Sequence, residues 1–286
     1  MPLPESGASA SPAEVKPLSV TEMEAMAKKL RRHIITMTGK AGSGHPGGSL
    51  SAVEIVTALY FRLLRHKPSD PQWIDRDRFI LSKGHAAPLL YAALAECGYL
   101  PIGELITLRQ LDSRLQGHTD QTLTPGVEMS AGALGQGLSF AIGVALAGRL
   151  NSQKYRVYVL LGDGECDEGQ VWEGAMAAAH FKVDNLVAVV DNNGQQIDGW
   201  NRDVMNLDPF NEKWQAFGWY VIEVDGHNLT QLIDAFNQAK LIKGQPTVII
   251  AHTIKGKGVS FMENNLSFHG KAPTAAEVER ALKELQ

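Results

Sequence analysis

VYVLLGDGECDEGQ (157–170) is the stretch on which the reading of the whole chain turns. Five apolar residues in succession have the length and composition of a strand buried on both faces. The run stops at Gly162-Asp163-Gly164, and four carboxylates fall within six residues: Asp163, Glu165, Asp167 and Glu168. Glycine after a buried strand usually marks a phosphate site, because a residue without Cβ lets backbone N–H groups and a helix start approach the anion. A carboxylate placed there repels the phosphate by roughly 1 to 4 kcal/mol at a few ångströms, depending on screening. A divalent cation between them reverses that sign, since such an ion takes carboxylate and diphosphate oxygens together.

Outward from this stretch the pattern repeats. Strand YRVYVLL (155–161), helix QVWEGAMAAAHF (170–181), strand LVAVVDNN (186–193) and helix DPFNEKWQAF (208–217) follow one another. Strand WYVIEVDG (219–226), helix LTQLIDAFNQAK (229–240) and strand PTVIIAHT (246–253) continue the series. Buried runs alternating with helices predict an α/β fold, a mostly parallel sheet with helices on both faces. On the N-terminal side RFILS (78–82) reads as a strand, 86–98 as a helix, and 51–64 as a helix buried all round. Thr21 and Glu24 form a capping-box pattern that opens a helix running to about Met37. GKAGSGHPGGS (39–49) reads as a glycine-dense loop, and 101–131 as irregular chain with one short helix. Residues 132–150 form a helix whose Gly and Ala residues allow close contact with a neighbour; a loop over 253–270 and a helix from about Thr274 complete the chain. No composition break divides it. The expected organisation is one α/β domain over 21–286 behind a flexible, Pro/Ser/Ala-rich tail over 1–20 that has no secretory features.

Composition narrows the function classes. With 20% charged residues and a net charge of -4, the chain has no global basic surface for nucleic acid or an anionic membrane. Its apolar runs, such as LVAVV and TVIIA, are too short to span a bilayer. Two cysteines in unrelated contexts, Cys97 and Cys166, and no C-x-x-C pattern point to a reducing, cytoplasmic setting without structural zinc.

Ligands of open α/β sheets bind outside the carboxyl ends of the strands. Four such ends carry polar punctuation: Lys83-Gly84-His85, Gly162-Asp163-Gly164, Asp191-Asn192-Asn193-Gly194 and His252-Thr253-Ile254-Lys255-Gly256. Asp163 and Asn193 end consecutive strands; if those strands are neighbours, a carboxylate and an amide oxygen project into one crevice. Either segment alone reads as a tight turn. A nicotinamide site is the rival, but GDGECDEG lacks the G-x-G-x-x-G spacing and GALGQG follows no strand. Among nine histidines, His45, His85, His118 and His269 each stand beside a glycine in a loop. Imidazole, with an unperturbed pKa of ~6.5, can donate and accept protons near neutrality. His33, His66 and His180 lie on predicted helices or their ends and receive no role.

GDG followed about thirty residues later by NN resembles the thiamine diphosphate signature. SGHPGG (43–48), LSKGHAAP (81–88), QGH (116–118), PGVEMSAGALGQG (125–137), GDGECDEG (162–169) and KGKGVSFMENNLSFHG (255–270) resemble transketolase segments in their family order. The likeness spans about residues 20–285 and implies the diphosphate-binding (PP) domain of a thiamine diphosphate enzyme. Because a complete transketolase also has pyrimidine-binding and C-terminal domains, the chain resembles the N-terminal subunit of a split transketolase.

The resemblance implies that Asp163 and Asn193 side chains and the Gln195 carbonyl ligate Mg²⁺, or Ca²⁺ or Mn²⁺ in its place. It implies cofactor contacts from Lys83, His85, Gly132, Ala133, Leu134, Gly164, Asn193, Lys255 and His269. His45, His118 and His269 would line the substrate channel as catalytic residues. Ala133 stands where many relatives have proline, and Thr119-Asp120 where Pro-Glu is usual. Glu168 and Glu173 would form an acidic network between the two active sites of a dimer, Glu168 meeting its mate; helix-start electrostatics is the plainer reading. Cys166 needs no role, and Lys257 either reaches an anionic substrate or is a solvated surface lysine. The implied activity moves a two-carbon ketol unit from a ketose phosphate to an aldose. A C-terminal partner subunit would supply the pyrimidine-binding domain and its activating glutamate, in a heterotetramer of two plus two. Two alternatives stay open at this point: the alpha subunit of a 2-oxo acid dehydrogenase or another decarboxylating thiamine diphosphate enzyme, and a non-enzymatic assembly subunit that keeps the fold.

Overall fold

The computed structural model describes residues 17–286, so the expected tail lies outside them apart from Pro17–Val20. Five strands, β1 (Arg78–Leu81), β2 (Val157–Gly162), β3 (Leu186–Asn192), β4 (Tyr220–Asp225) and β5 (Thr247–His252), form one sheet. All pair in parallel, in the order β1-β2-β3-β5-β4. The helices are α1 (Val20–Ala41), α2 (Pro46–Ser51), α3 (Val53–Ala58), α4 (Ala87–Cys97), α5 (Gln136–Leu150), α6 (Gly169–His180), α7 (Asn201–Val204), α8 (Phe210–Ala216), α9 (Leu229–Leu241) and α10 (Ala275–Glu284). Among the described residues, no helix is long and apolar enough to cross a membrane.

Alternation along the strands builds two cores. Tyr158, Leu160, Val187, Val189 and Ile249 point to one face, where they pack with α1, α3, α4 and α9. Val157, Val159, Leu161, Ala188, Val190 and Ile250 point to the other, against α5, α6 and α8. Connectivity follows from handedness, because parallel crossovers are right-handed. The steps from β2 to β3 and β3 to β4 run one way along the sheet, with α6 and α8 on one face. The step from β4 back to β5 runs the other way, so α9 covers the opposite face. The expected α/β architecture is therefore the observed one. Gly162 pairs with Asp191, so the turns after β2 and β3 leave the sheet side by side.

Three local expectations need correction. The capping box at α1 is Ser19 with Glu22, not Thr21 with Glu24. Both spell the pattern, and packing selects the frame that buries Met23, Ala27 and Leu30 while Leu18 N–H bonds the Phe61 carbonyl at 3.0 Å. The helix also runs on to Ala41, so the 39–49 segment is a loop only over 42–45. Its glycines serve packing: a Cβ on Gly39 would lie 2.3 Å from Val278 Cγ2 of α10. Pro46, whose missing N–H is harmless in a first turn, starts α2. The buried stretch 51–64 is not one helix; it breaks at Ala52 and ends in a π-helical turn over Leu59–Leu63.

Candidate active site

Asp163 leaves β2 with its carboxylate accepting N–H bonds from Gly164, at 2.9 Å, and from Gly194 of the neighbouring turn. Asn193 leaves β3 with Oδ1 accepting from Gln195 N–H at 3.1 Å. The Gln195 carbonyl accepts from Lys255 Nζ at 3.1 Å. A carboxylate, an amide oxygen and a carbonyl thus gather where two adjacent loops meet. Asp163 is only 2% exposed, and burial together with the Asp191 charge pushes its pKa up to about 7. A buried acid backed only by two amides is short of positive charge, which is the condition a divalent cation relieves. The donor set, all hard oxygens with one charge, fits such an ion. Gly164 keeps the turn tight; a Cβ there would sit 2.8 Å from Gln196 Cβ.

Behind these loops runs a buried ion pair between Lys83, after β1, and Asp191, within β3. Lys83 Nζ also donates to the Gly48 carbonyl at 2.9 Å, while Asp191 accepts from Ser51 of α2 and Thr253 after β5. Burial pushes the Asp191 carboxyl up, but the Lys83 charge and these hydrogen bonds outweigh it and hold its pKa low. The pair ties four segments into one floor. Glu165, also buried, accepts from Ser82 Oγ, Gly135 N–H at 2.9 Å and Gly162 N–H at 3.0 Å. It anchors the end of the 132–134 loop to the turn bearing Asp163.

Four histidines close the opposite wall. The His45 ring centroid lies 5.6 Å from that of His85, 5.8 Å from His118 and 5.7 Å from His269. Burial, then the charge of Arg109, lowers His45 to about 4; burial, then Lys255, lowers His269 to about 3. Burial likewise lowers His118 and takes His85 well below its ordinary value. Lys255 itself falls to about 8 through burial and the charge of Lys83. The rings are therefore neutral at pH 7. Their tautomers follow from their neighbours, because Lys and Arg can only donate. Lys255 Nζ meets His269 Nδ1 at 2.9 Å and Arg109 meets His45 Nδ1 at 3.3 Å. Both Nδ1 atoms accept, so both rings carry their proton on Nε2.

Together these groups line a cleft of about 360 Å³. Of the residues singled out by sequence for the site, the cleft gathers His45, Lys83, His85, His118, Gly132, Leu134, Asp163, Gly164, Glu168, Asn193, Gln195, Lys255 and His269. It does not include Ala133, exposed on its loop, or Glu173, exposed on α6. Thr119 is buried with its hydroxyl on the Met129 carbonyl, and Asp120 caps the following turn through Thr122. Lys257 lies elsewhere, 3.6 Å from Glu263, on the rim of a second cleft. His33 pairs with Glu96, and His66 is packed against Tyr60 and Tyr99. Both thiols are free. Sequence reasoning named Asp191 and Glu165 without giving either a role, and missed Ser51 and Arg109. Arg109, at φ 59°, joins the segments of His45 and His118 by donating to Ser43 Oγ at 2.8 Å and the Gly117 carbonyl at 3.4 Å. The one legible signal was an acid in the middle of LVAVVDNN.

Residues 22–286 match the family described as transketolase, thiamine diphosphate binding domain. The chain belongs to that family. It is 45% identical over 265 residues to the 6-deoxy-6-sulfo-D-fructose transketolase subunit SqwG of Clostridium sp., covering 93% of this chain and 96% of that one. It is 44% identical to the apulose-4-phosphate transketolase subunit of Actinobacillus succinogenes, over 94% of this chain and 98% of the relative. The crystal structure of the transketolase from Campylobacter jejuni superposes with a TM-score of 0.89 at 33% identity, over 94% of this chain but 43% of that one. The chain thus spans nearly the full length of the two transketolase subunits and under half of the longer transketolase.

Proposed function

We propose that this chain is the N-terminal subunit of a two-chain, thiamine diphosphate-dependent transketolase. It works in the cytoplasm with a C-terminal partner that carries the pyrimidine-binding domain, two copies of each, and moves a two-carbon ketol unit from a ketose phosphate to an aldose. The observation that carries this reading is the convergence of Asp163, Asn193, Lys83, Lys255 and the neutral histidines in one cleft. The full-length likeness to subunits named as parts of transketolases favours it over a decarboxylating enzyme.

In this reading the Asp163 carboxylate, the Asn193 amide oxygen and the Gln195 carbonyl would hold a divalent cation, which would supply the positive charge that a diphosphate needs beside an acid. Thiamine diphosphate, when bound, supplies the carbon that takes up the two-carbon unit. The chain's own residues bind the cofactor and handle protons. Lys83 holds the loops beneath it through Asp191, and Gly164 lets the backbone come close. His45 and His269, each protonated at Nε2 because Nδ1 accepts from Arg109 or Lys255, offer hydrogen-bond donors to a substrate oxygen. Glu168, at the cleft rim, and Glu173 on α6 face outward for contact with another subunit.

The test is turnover of a ketose phosphate with an aldose, thiamine diphosphate and Mg²⁺, by the purified chain alone and with its C-terminal partner subunit. Activity is expected only from the mixture. Robust turnover by the lone chain would refute the partner requirement, and none with the partner would refute the assigned reaction.

A further inference from the structure

On the far side of the Lys255 loop from the cofactor cleft lies a second, larger cleft of about 660 Å³. Its floor is a three-residue network drawn from distant parts of the chain. Arg31 of α1 makes an ion pair with Glu54 of α3 at 2.7 Å. Glu54 Oε2 also meets Nδ1 of His227, in the turn between β4 and α9, at 2.9 Å. Both outer members then reach the same loop. Nε2 of His227 accepts the Ile254 N–H at 2.8 Å, and Arg31 Nε donates to the Lys257 carbonyl at 2.9 Å. Between these two anchor points stand Lys255 and Gly256, the latter pinned from the front by its N–H on the Gly47 carbonyl at 3.0 Å.

The chemistry of the network admits one arrangement. A backbone N–H can only donate, so His227 Nε2 must carry its lone pair, and Nδ1 then carries the proton that Glu54 accepts. Arg31 orients the carboxylate, the carboxylate sets the ring's tautomer and rotation, and the ring fixes Ile254. This is the arrangement by which carboxylates orient ligating imidazoles, applied here to a loop backbone. Glu54 is 7% exposed, and it has no contact with the cofactor cleft that would explain its burial with two partners.

We infer that Arg31, Glu54 and His227 form a positioning clamp that sets the place of Lys255, and through its 2.9 Å contact the place of His269, from behind the active site. The inference rests on the functional reading of Lys255 given above. His227 is a positioning residue: it touches neither cleft oxygens nor the reacting atoms.

Two substitutions separate its two hydrogen bonds. In His227→Gln the amide oxygen takes the place of Nε2 and can still accept from Ile254; in His227→Asn the shorter amide can reach Glu54 but not Ile254. Amide hydrogen exchange is read on the chain by itself over residues 253–258 and over β2 and β3 as an internal reference. Cofactor affinity is read by calorimetry on the chain assembled with its partner. His227→Asn should speed exchange of the loop roughly 5- to 10-fold without change in β2 and β3. It should also weaken thiamine diphosphate binding on the order of 10-fold. His227→Gln should restore both. Unaltered loop exchange in His227→Asn, or loss in both variants, would overturn the clamp. So would faster exchange with unchanged affinity, since the loop would then be held for stability alone. Failure of the unsubstituted assembly to bind cofactor would strike the reading of Lys255 itself, and shows in a different arm.

Discussion

At the scale of single residues, Asp163 is the group whose chemistry is most exposed to test. Its pKa, raised to about 7 by burial and the Asp191 charge, means that a cation must compete with a proton for it. Mg²⁺-dependent cofactor affinity should therefore rise about tenfold per pH unit up to about pH 7 and level off above it. Calorimetry in buffers of different ionisation heat would also show proton release below that point. A flat profile from pH 6 to 8 would count against Asp163 as a ligand. The variant Asp163→Ala should lose at least about 10-fold in cation-dependent affinity, since even residues behind a metal ligand contribute that much. The sequence made this residue legible because a glycine turn, an acid and a buried strand coincide within a few positions. Lys83 was legible only by family likeness, and its partner Asp191 was not legible as such. An acid closing a valine run looks like a strand end until the register shows it buried beneath Ser51, Lys83 and Thr253. Arg109 was hidden for a similar reason: nothing near it in the chain shows that residues 45 and 117 come to it.

At the scale of elements, β1, β2, β3 and β5 were read almost to their ends because each is an apolar run buried along nearly its whole length, whereas β4, at the sheet edge and interrupted by exposed Glu223, was legible mainly from its place in the strand–helix alternation. Helix starts were read less well wherever tertiary contacts, not local chemistry, choose between equivalent patterns, as at Ser19 and Thr21. The segment 39–49 shows the clearest failure. Its glycines mimic flexibility, yet Gly39 lies inside α1 and Gly47 and Gly48 inside α2, both buried. Glu165 shows how one side chain joins elements. Its carboxylate is satisfied by donors alone, from Ser82, Gly135 and Gly162. Glu165→Gln would turn an NH₂ group toward one of them. The buried mismatch should lower unfolding stability by about 1–3 kcal/mol in urea titrations. Because Gly135 follows the 132–134 loop, cofactor affinity should fall with it. Unchanged urea midpoint and affinity would mean that the three donors find other partners.

At the scale of the whole molecule, what remains unsatisfied is a surface. Helices α5 and α6 pack on each other through Gly174, whose added Cβ would meet Leu138 and Ser139. Their outer side carries Phe140, Gly143, Ala147 and Met176, all exposed, with Met176 at 57%. Small and apolar residues on an outer helix face let another backbone come close, and such patches commonly mark contact with another chain. Glu173 lies one turn from Met176 on the same helix, and Glu168 precedes its first turn, so the acids proposed to meet between active sites share this side of the molecule. A two-fold contact here would set each such group near its mate, since a symmetric dimer uses the same patch twice. Met176→Glu would then add two further like charges to an interface already acidic, at the point where apolar contact must offset them. Sedimentation of the chain mixed with its C-terminal partner should show a species of two plus two for the native sequence and for Met176→Leu. It should show one plus one for Met176→Glu, with circular dichroism unchanged. A four-chain mass for Met176→Glu would place the subunit contact on another face and leave Glu168 and Glu173 with helix-start electrostatics as their role.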